Sequence, residues 1–214
     1  EAPERPSADA AVTEDRLRVA EAYVEQEEGG TSRYRGLLGH ATTALLVAMS
    51  LAHLYAAVDI VPAQVLRPVH VGFMLVLVFL LFPVAARYRH RLMWWDVVGA
   101  LLGLATIAYL LAGGDDIWDR NVTPSASDTF FGLAFVLLVL EACRRTSGWI
   151  MTGVIGAFIA YAFVGPWLPG EWSHRGYDVA SLSGFLYQTL EGVFGTAVDV
   201  SSSLIILFTI YGAF

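Results

Sequence analysis

Lysine is missing altogether: all 13 basic residues among the 214 are arginine. A phosphate-binding P-loop needs a Lys on the phosphates, and pyridoxal phosphate needs a Lys for its Schiff base. ATP hydrolysis and pyridoxal chemistry by this chain are therefore excluded. Cysteine is nearly absent. Cys143 stands alone, which leaves no internal disulfide and no Cys-based zinc site. It reads as a small apolar residue at a helix end. Charge is scarce, at 15% of residues, against about 25% in soluble proteins. What charge there is sums to −7, so the basic face that nucleic acid requires is lacking. The sequence holds no GxSxG, HExxH or GxGxxG, and no recognisable Ser/His or paired-Asp arrangement in its apolar runs. Nothing marks an enzyme, a resident cofactor or a metal site.

What is abundant is apolar surface, at 56% of residues. It is concentrated in runs. Residues 37–58 contain no Asp, Glu, Lys or Arg, enough helix to cross about 30 Å of hydrocarbon. Residues 69–86, 97–114 and 148–168 are likewise uncharged. Residues 129–143 carry one charge, Glu141, near their end, and 200–214 begin a further run. This pattern predicts an all-α polytopic membrane protein with about five transmembrane helices plus a truncated sixth or a re-entrant segment. Residues 1–36 form an acidic tail, with nine acids against five Arg. A short helix is expected over 13–28, where Thr13 can N-cap and Gly29–Gly30 stop it. The tail has no apolar stretch of the signal-peptide kind. The chain begins at Glu1 and stops at Phe214 inside an apolar run, and so reads as a piece of a longer polypeptide.

Arginine placement predicts the topology. Arg33, Arg35, Arg87, Arg89, Arg91, Arg144 and Arg145 fall at alternate span ends that share one side. Only Arg67, Arg120 and Arg175 fall on the other, with the acidic loops 59–68, 115–128 and 169–178. The N-terminus is therefore expected in the cytoplasm. All six tryptophans lie at or beyond span ends, where an amphipathic indole prefers to sit.

Few residues are candidates for chemistry. His40 and His53 lie thirteen positions apart in one span, at 100° per residue, on different faces. They share no site within that helix. Pairing with His70 or His90 stays open, with an interhelical hydrogen bond the simplest role. Glu141 stands three and four residues before Arg144 and Arg145, the spacing of a helix-surface ion pair. Loop 165–178 is rich in Pro, Gly and aromatics and reads as compact. Over 181–195, Leu182, Phe185, Leu186, Thr189 and Leu190 share one face, so this segment is expected to lie in the interface. Asp199 and Ser201–Ser203 then open an apolar half-helix. A polar entry of this kind suits the discontinuous helices that transporters use at ion sites.

The C-terminal third carries a resemblance. EACRRTSGWIMTGVIGAFIAYAFVGPWLPGEWSHRG (141–176), LYQTLEGVFG (186–195) and VSSSLIILFTIYGAF (200–214) together resemble the fused permeases of TRAP transporters, the tripartite ATP-independent periplasmic transporters. The likeness covers 13–214 and is strongest over 141–214. It implies a secondary transporter of the bacterial or archaeal inner membrane that imports organic anions or amino-acid-like solutes. A sodium or proton gradient would drive it, and a periplasmic solute-binding protein of the TAXI class would deliver the solute. Residues 37–145 would match the four-helix small-subunit scaffold, and 146–214 would begin the large subunit, which moves as an elevator. Glu191, Gly192 and Gly195 match a family motif of structural role. The remainder of the permease chain would supply most ion and solute ligands. Two other readings remain: a non-transporting membrane scaffold or interaction subunit, and a redox membrane protein using His40, His53 or His70.

Overall fold

The computed structural model describes residues 16, 17, 19, 20, 34, 36–85, 88 and 91–213. Most of the expected tail helix, together with Arg87, Arg89 and His90, lies outside them. Among the described residues every regular element is helical. The elements are α1 (Leu37–Val58), α2 (Ala63–Leu81), α3 (Trp94–Ala112), α4 (Gly114–Asp119), α5 (Ala126–Val164), α6 (Val179–Tyr187) and α7 (Thr196–Gly212). Four of them, α1, α2, α3 and α5, are long and apolar enough to cross a membrane. Their outward side chains are apolar, for example Leu51, Leu101, Leu137 and Phe158. A water-soluble bundle would hide these, so the chain is embedded in a bilayer.

Local sequence sets where these helices start and stop. Gly36 sits at φ 69° just before α1, a conformation that only glycine adopts freely. Hydroxyls inside α1 fold back on their own helix: Thr43 donates to Gly39 O at 2.9 Å and Ser50 to Leu46 O at 3.0 Å. Such back-bonding lets a hydroxyl sit in hydrocarbon without an orphan donor. At the start of α5, the Ser125 hydroxyl accepts from Asp128 N at 3.1 Å, and Asp128 accepts from Ser125 N at 2.8 Å. This reciprocal capping box satisfies two donors that the helix cannot.

The core lies between α2 and α3, and small residues make it close. A Cβ on Gly99 would stand 2.5 Å from the Phe79 ring, and one on Gly103 3.3 Å from Leu75. On the facing helix, Gly72 approaches Ile107 in the same way, at 3.3 Å. With no water to expel from between them, membrane helices gain from such close van der Waals packing. The core continues through Leu110, Ile117 and Phe135 to Tyr187 and Phe194.

Helix α5 contains both stretches read from the sequence as the fourth and fifth spans. Gly148, at φ 79°, breaks it into two arms. In a straight helix Val136 and Ala162 would stand about 39 Å apart. Instead both line one apolar cleft of about 290 Å³, with Leu140 and Phe158. The second arm therefore folds back along the first. The sequence boundary expected at 145/146 falls inside α5, three residues before this break.

Segment 181–195 packs on the bundle through the face opposite its apolar one. The face that α6 buries is Ser183, Gly184 and Tyr187, while Phe185 is exposed. Gly132 of α5 makes room: a Cβ there would meet Ser183 Cβ at 3.2 Å and Tyr187 Cβ at 3.5 Å. The Tyr187 hydroxyl donates to the Thr106 carbonyl of α3. A polar anchor thus pulls the helix inward, against the face that hydrophobicity alone prefers.

Replacing Gly99 with Ala should lower stability in detergent by about 1–3 kcal/mol, the usual cost of overpacking. Gly153→Ala has open space around it and should leave stability unchanged. Thermal unfolding of both variants checks this, and equal midpoints would refute the close α2–α3 contact.

Candidate functional site

Three polar clusters lie inside this apolar bundle. The first is a clasp at the end of the bundle where α1 begins. Arg145, only 3% exposed, meets the buried Asp96 carboxylate at 2.6 Å and Glu141 at 2.8 Å. It also donates to Phe82 O at 3.1 Å and lies 4.6 Å over the Phe79 ring. Arg144 grips Glu141 at 2.7 Å through both of its contacts and reaches Val84 O at 3.3 Å. The clasp ties the start of α3, the chain just past α2 and the middle of α5. Asp96 also caps its own helix, accepting from Met93 N at 3.1 Å. The Glu141 pairing expected from spacing is present. The role of Asp96 was not legible, because its partner is 49 residues away. Arg91, the remaining described member of the Arg87, Arg89 and Arg91 group, is exposed.

The second cluster surrounds Asp128, which is 1% exposed. Arg120 approaches it at 3.0 and 3.1 Å, and the Tyr109 hydroxyl at 2.7 Å. That carboxylate holds the Arg120 guanidinium more firmly protonated than usual. All of these contacts stabilise a helix start and leave no open position.

The third cluster joins α1, α2 and α7. His53 and His70 are both buried, and His53 Nε2 lies 2.9 Å from His70 Nδ1. The other nitrogen of His53 meets Met49 O at 2.7 Å, and the other nitrogen of His70 meets Ser201 Oγ at 3.1 Å. One helical turn before His70, Arg67 pairs with Asp199 at 2.9 Å and donates to Phe194 O at 3.0 Å. Beside them α7 is irregular. Ser201–Ile205 form a π-turn, with Ile206 N bonding to Ser201 O. Such widened turns cost regular hydrogen bonding and recur at functional sites. Ionisable groups at this depth in a bilayer are functional candidates by default. We take this cluster as the candidate site. Every ring nitrogen of the histidine pair is engaged by another group of the protein. His40 stands apart, exposed, with Nδ1 on Gly36 O at 2.8 Å.

The expected motif residues Glu191, Gly192 and Gly195 lie in the turn that leads into α7. Gly192 N donates to Thr189 Oγ1 at 3.0 Å, and Gly195 N donates to Gly192 O at 3.1 Å. A Cβ on Gly192 would collide with the Phe185 carbonyl and stand 2.6 Å from that of Leu186. Glu191 points outward and is exposed. The turn thus sets the path of the chain toward Asp199 and Ser201. Within it, the Gln188 side-chain amide is buried and finds no hydrogen-bond partner among the described residues. Of the third cluster, sequence reasoning singled out the histidines, Asp199 and the serines separately. Their convergence, and the part of Arg67, required the fold.

No protein-family model, curated protein or solved structure shows significant similarity to the chain.

Arg145→Met leaves the Asp96 carboxylate buried without its cation, and should cost about 3–5 kcal/mol of stability. Adding Asp96→Asn should recover part of the loss. Glu141→Ala should cost less, because Glu141 is partly exposed and the Asp96 contact survives. Denaturant unfolding of the purified variants measures all three; an Arg145→Met variant as stable as the parent would remove the clasp from the account.

Proposed function

We propose that the chain is part of the permease of a tripartite ATP-independent secondary transporter, moving organic anions or amino-acid-like solutes on an ion gradient. The observation that carries this reading is the broken α6–α7 element. A short helix ends at Tyr187, a tight turn follows, and a π-turn interrupts α7 after Val200, against buried ionisable side chains. Interrupted helices at membrane depth are how transporters present backbone and hydroxyl groups to ions. The unpartnered Gln188 amide in the same element adds a polar group still to be satisfied. The likeness of 141–214 to the fused TRAP permeases supports the same reading, as does the lack of any ATP-binding Lys.

In this reading residues 37–145 are the scaffold, and 146–214 begin the moving part. The membrane is the inner membrane of a bacterium or archaeon, with the N-terminus and the Arg144–Arg145 end facing the cytoplasm. The loop after α5 is then offered to a periplasmic solute-binding protein. Its shape suits a rigid docking element: His174 Nε2 donates to Tyr161 O at 3.1 Å, and the Tyr161 hydroxyl donates to Trp172 O at 3.2 Å. The second reading is a non-transporting scaffold subunit. The clasp around Arg145 and the glycine contacts of α2 and α3 favour it for the first half, because they describe a part built not to move.

The deciding experiment is solute uptake by the full-length protein in proteoliposomes, with its binding protein supplied outside. Uptake should collapse when the ion gradient is dissipated or the binding protein withheld. Uptake indifferent to both would reject the transporter reading.

A further inference from the structure

The hydrogen bonds around His53 and His70 have only one arrangement of protons in the neutral state. A carbonyl oxygen can only accept, so the 2.7 Å contact with Met49 O places a proton on His53 Nδ1. Nε2 of neutral His53 is then an acceptor, and the 2.9 Å contact places a proton on His70 Nδ1. Nε2 of His70 is in turn an acceptor, filled by the Ser201 hydroxyl at 3.1 Å. The chain runs one way, from Ser201 through His70 and His53 to Met49. It crosses three helices.

We propose that Ser201, His70 and His53 form a relay that binds one proton inside the membrane, entering at the π-turn of α7. A hydronium arriving at Ser201 Oγ gives its proton to that oxygen, and the hydroxyl proton already there passes to His70 Nε2. Water is left behind. The Nδ1 proton of His70 then moves to His53 Nε2. The cation ends on His53, which keeps its Nδ1 proton on Met49 O, while His70 is neutral with its proton on Nε2. One proton has entered and no electrons have moved. A second cannot follow, since two cationic rings would face each other N–H to N–H across the same short contact.

The surroundings suit reversible loading. The charged residues of α2 and α7 are Arg67 and Asp199, which neutralise each other at 2.9 Å, and Asp59 just past α1 accepts from the Tyr55 hydroxyl. No further Asp, Glu or Arg lies on α1. The charged groups on the other neighbours of α2 are committed elsewhere, Asp96, Glu141, Arg144 and Arg145 in the clasp and Asp128 with Arg120. No dedicated carboxylate therefore locks the proton in place. Asp199 is about half exposed, so the Ser201 end lies near the surface of the bundle. Because the relay joins α1 and α2 to the broken helix, its charge state bears on how α7 seats. As the coupling site of a carrier this rests on the transporter reading above; as a proton site it does not.

Two experiments on the full-length protein separate these claims. In nanodiscs, nitrogen-15 NMR of labelled histidine should show His53 and His70 both protonated at Nδ1 at neutral pH, with a coupling across the N–H···N contact. On acidification the wild type should take up one proton more than His53→Gln/His70→Gln. Two extra protons, or none, overturn the proposal. Ser201→Ala guards against misfolding of the double variant, since it should keep the histidine coupling while changing the shift of His70 Nε2; an unchanged shift also overturns it. In proteoliposomes, a protonophore should stop uptake by the wild type. Uptake driven by sodium alone and unaltered by Ser201→Ala or His70→Gln overturns the coupling role and leaves the transporter reading standing. A one-proton site in a protein whose uptake ignores every gradient does the reverse.

Discussion

In the hydrocarbon of a bilayer there is no water to satisfy a polar group, so each one buried in this bundle has to find its partner inside the protein. That constraint decides where the helices touch. Arg145 has one ring face, two carboxylates and a carbonyl as partners, and they come from three different segments of chain. Asp128 collects Arg120, Tyr109 and Ser125 in the same manner. The histidine pair does so with Met49 and Ser201. Apolar side chains cannot supply this selectivity, because lipid is as good a neighbour for leucine as another leucine. The polar clusters therefore fix the pairing of helices, and the close glycine contacts between them add the attraction.

The bundle is unevenly built as a result. Around α2, α3 and the first arm of α5, glycines bring backbones together and the clasp holds one end shut. Across the break at Gly148 the second arm is different: Gly153 and Gly156 face open space, and Ile150, Val154 and Phe158 are exposed. Helix α7 is similar, with Leu204 and Ile205 exposed in its π-turn and Phe208 beyond it. A tight half thus stands beside a loosely packed half. The candidate site lies at the seam, where α2 of the first half meets α7 of the second.

Much of this was legible in one dimension. Residues 37–58 gave α1 to the residue, because a charge-free run bounded by glycine and aspartate has no other stable state in a membrane. Spans two and three were found with shifted edges. Helix α2 begins at Ala63 and includes Arg67, a charge that interrupts the uncharged run and points to a loop there. Arginine enters a span when its head group has a partner, and Asp199 is 132 residues further on. The Glu141 pairing with Arg144 and Arg145 was legible because helix geometry alone brings them together. The buried face of α6 was not, because an apolar stripe marks burial only where water is the alternative.

The sequence by itself determined that the chain is helical and membrane-embedded, where its spans run, and that its scarce charge serves positions at or near their ends. These follow from the local cost of placing backbone and charge in hydrocarbon, which each segment meets on its own. Only the tertiary structure decided that Arg145 belongs to Asp96, that the chain doubles back at Gly148, and that His53, His70 and Ser201 form one line. Those pairings depend on contacts between residues tens of positions apart, and no period or spacing along the chain encodes which distant partner completes a buried polar group.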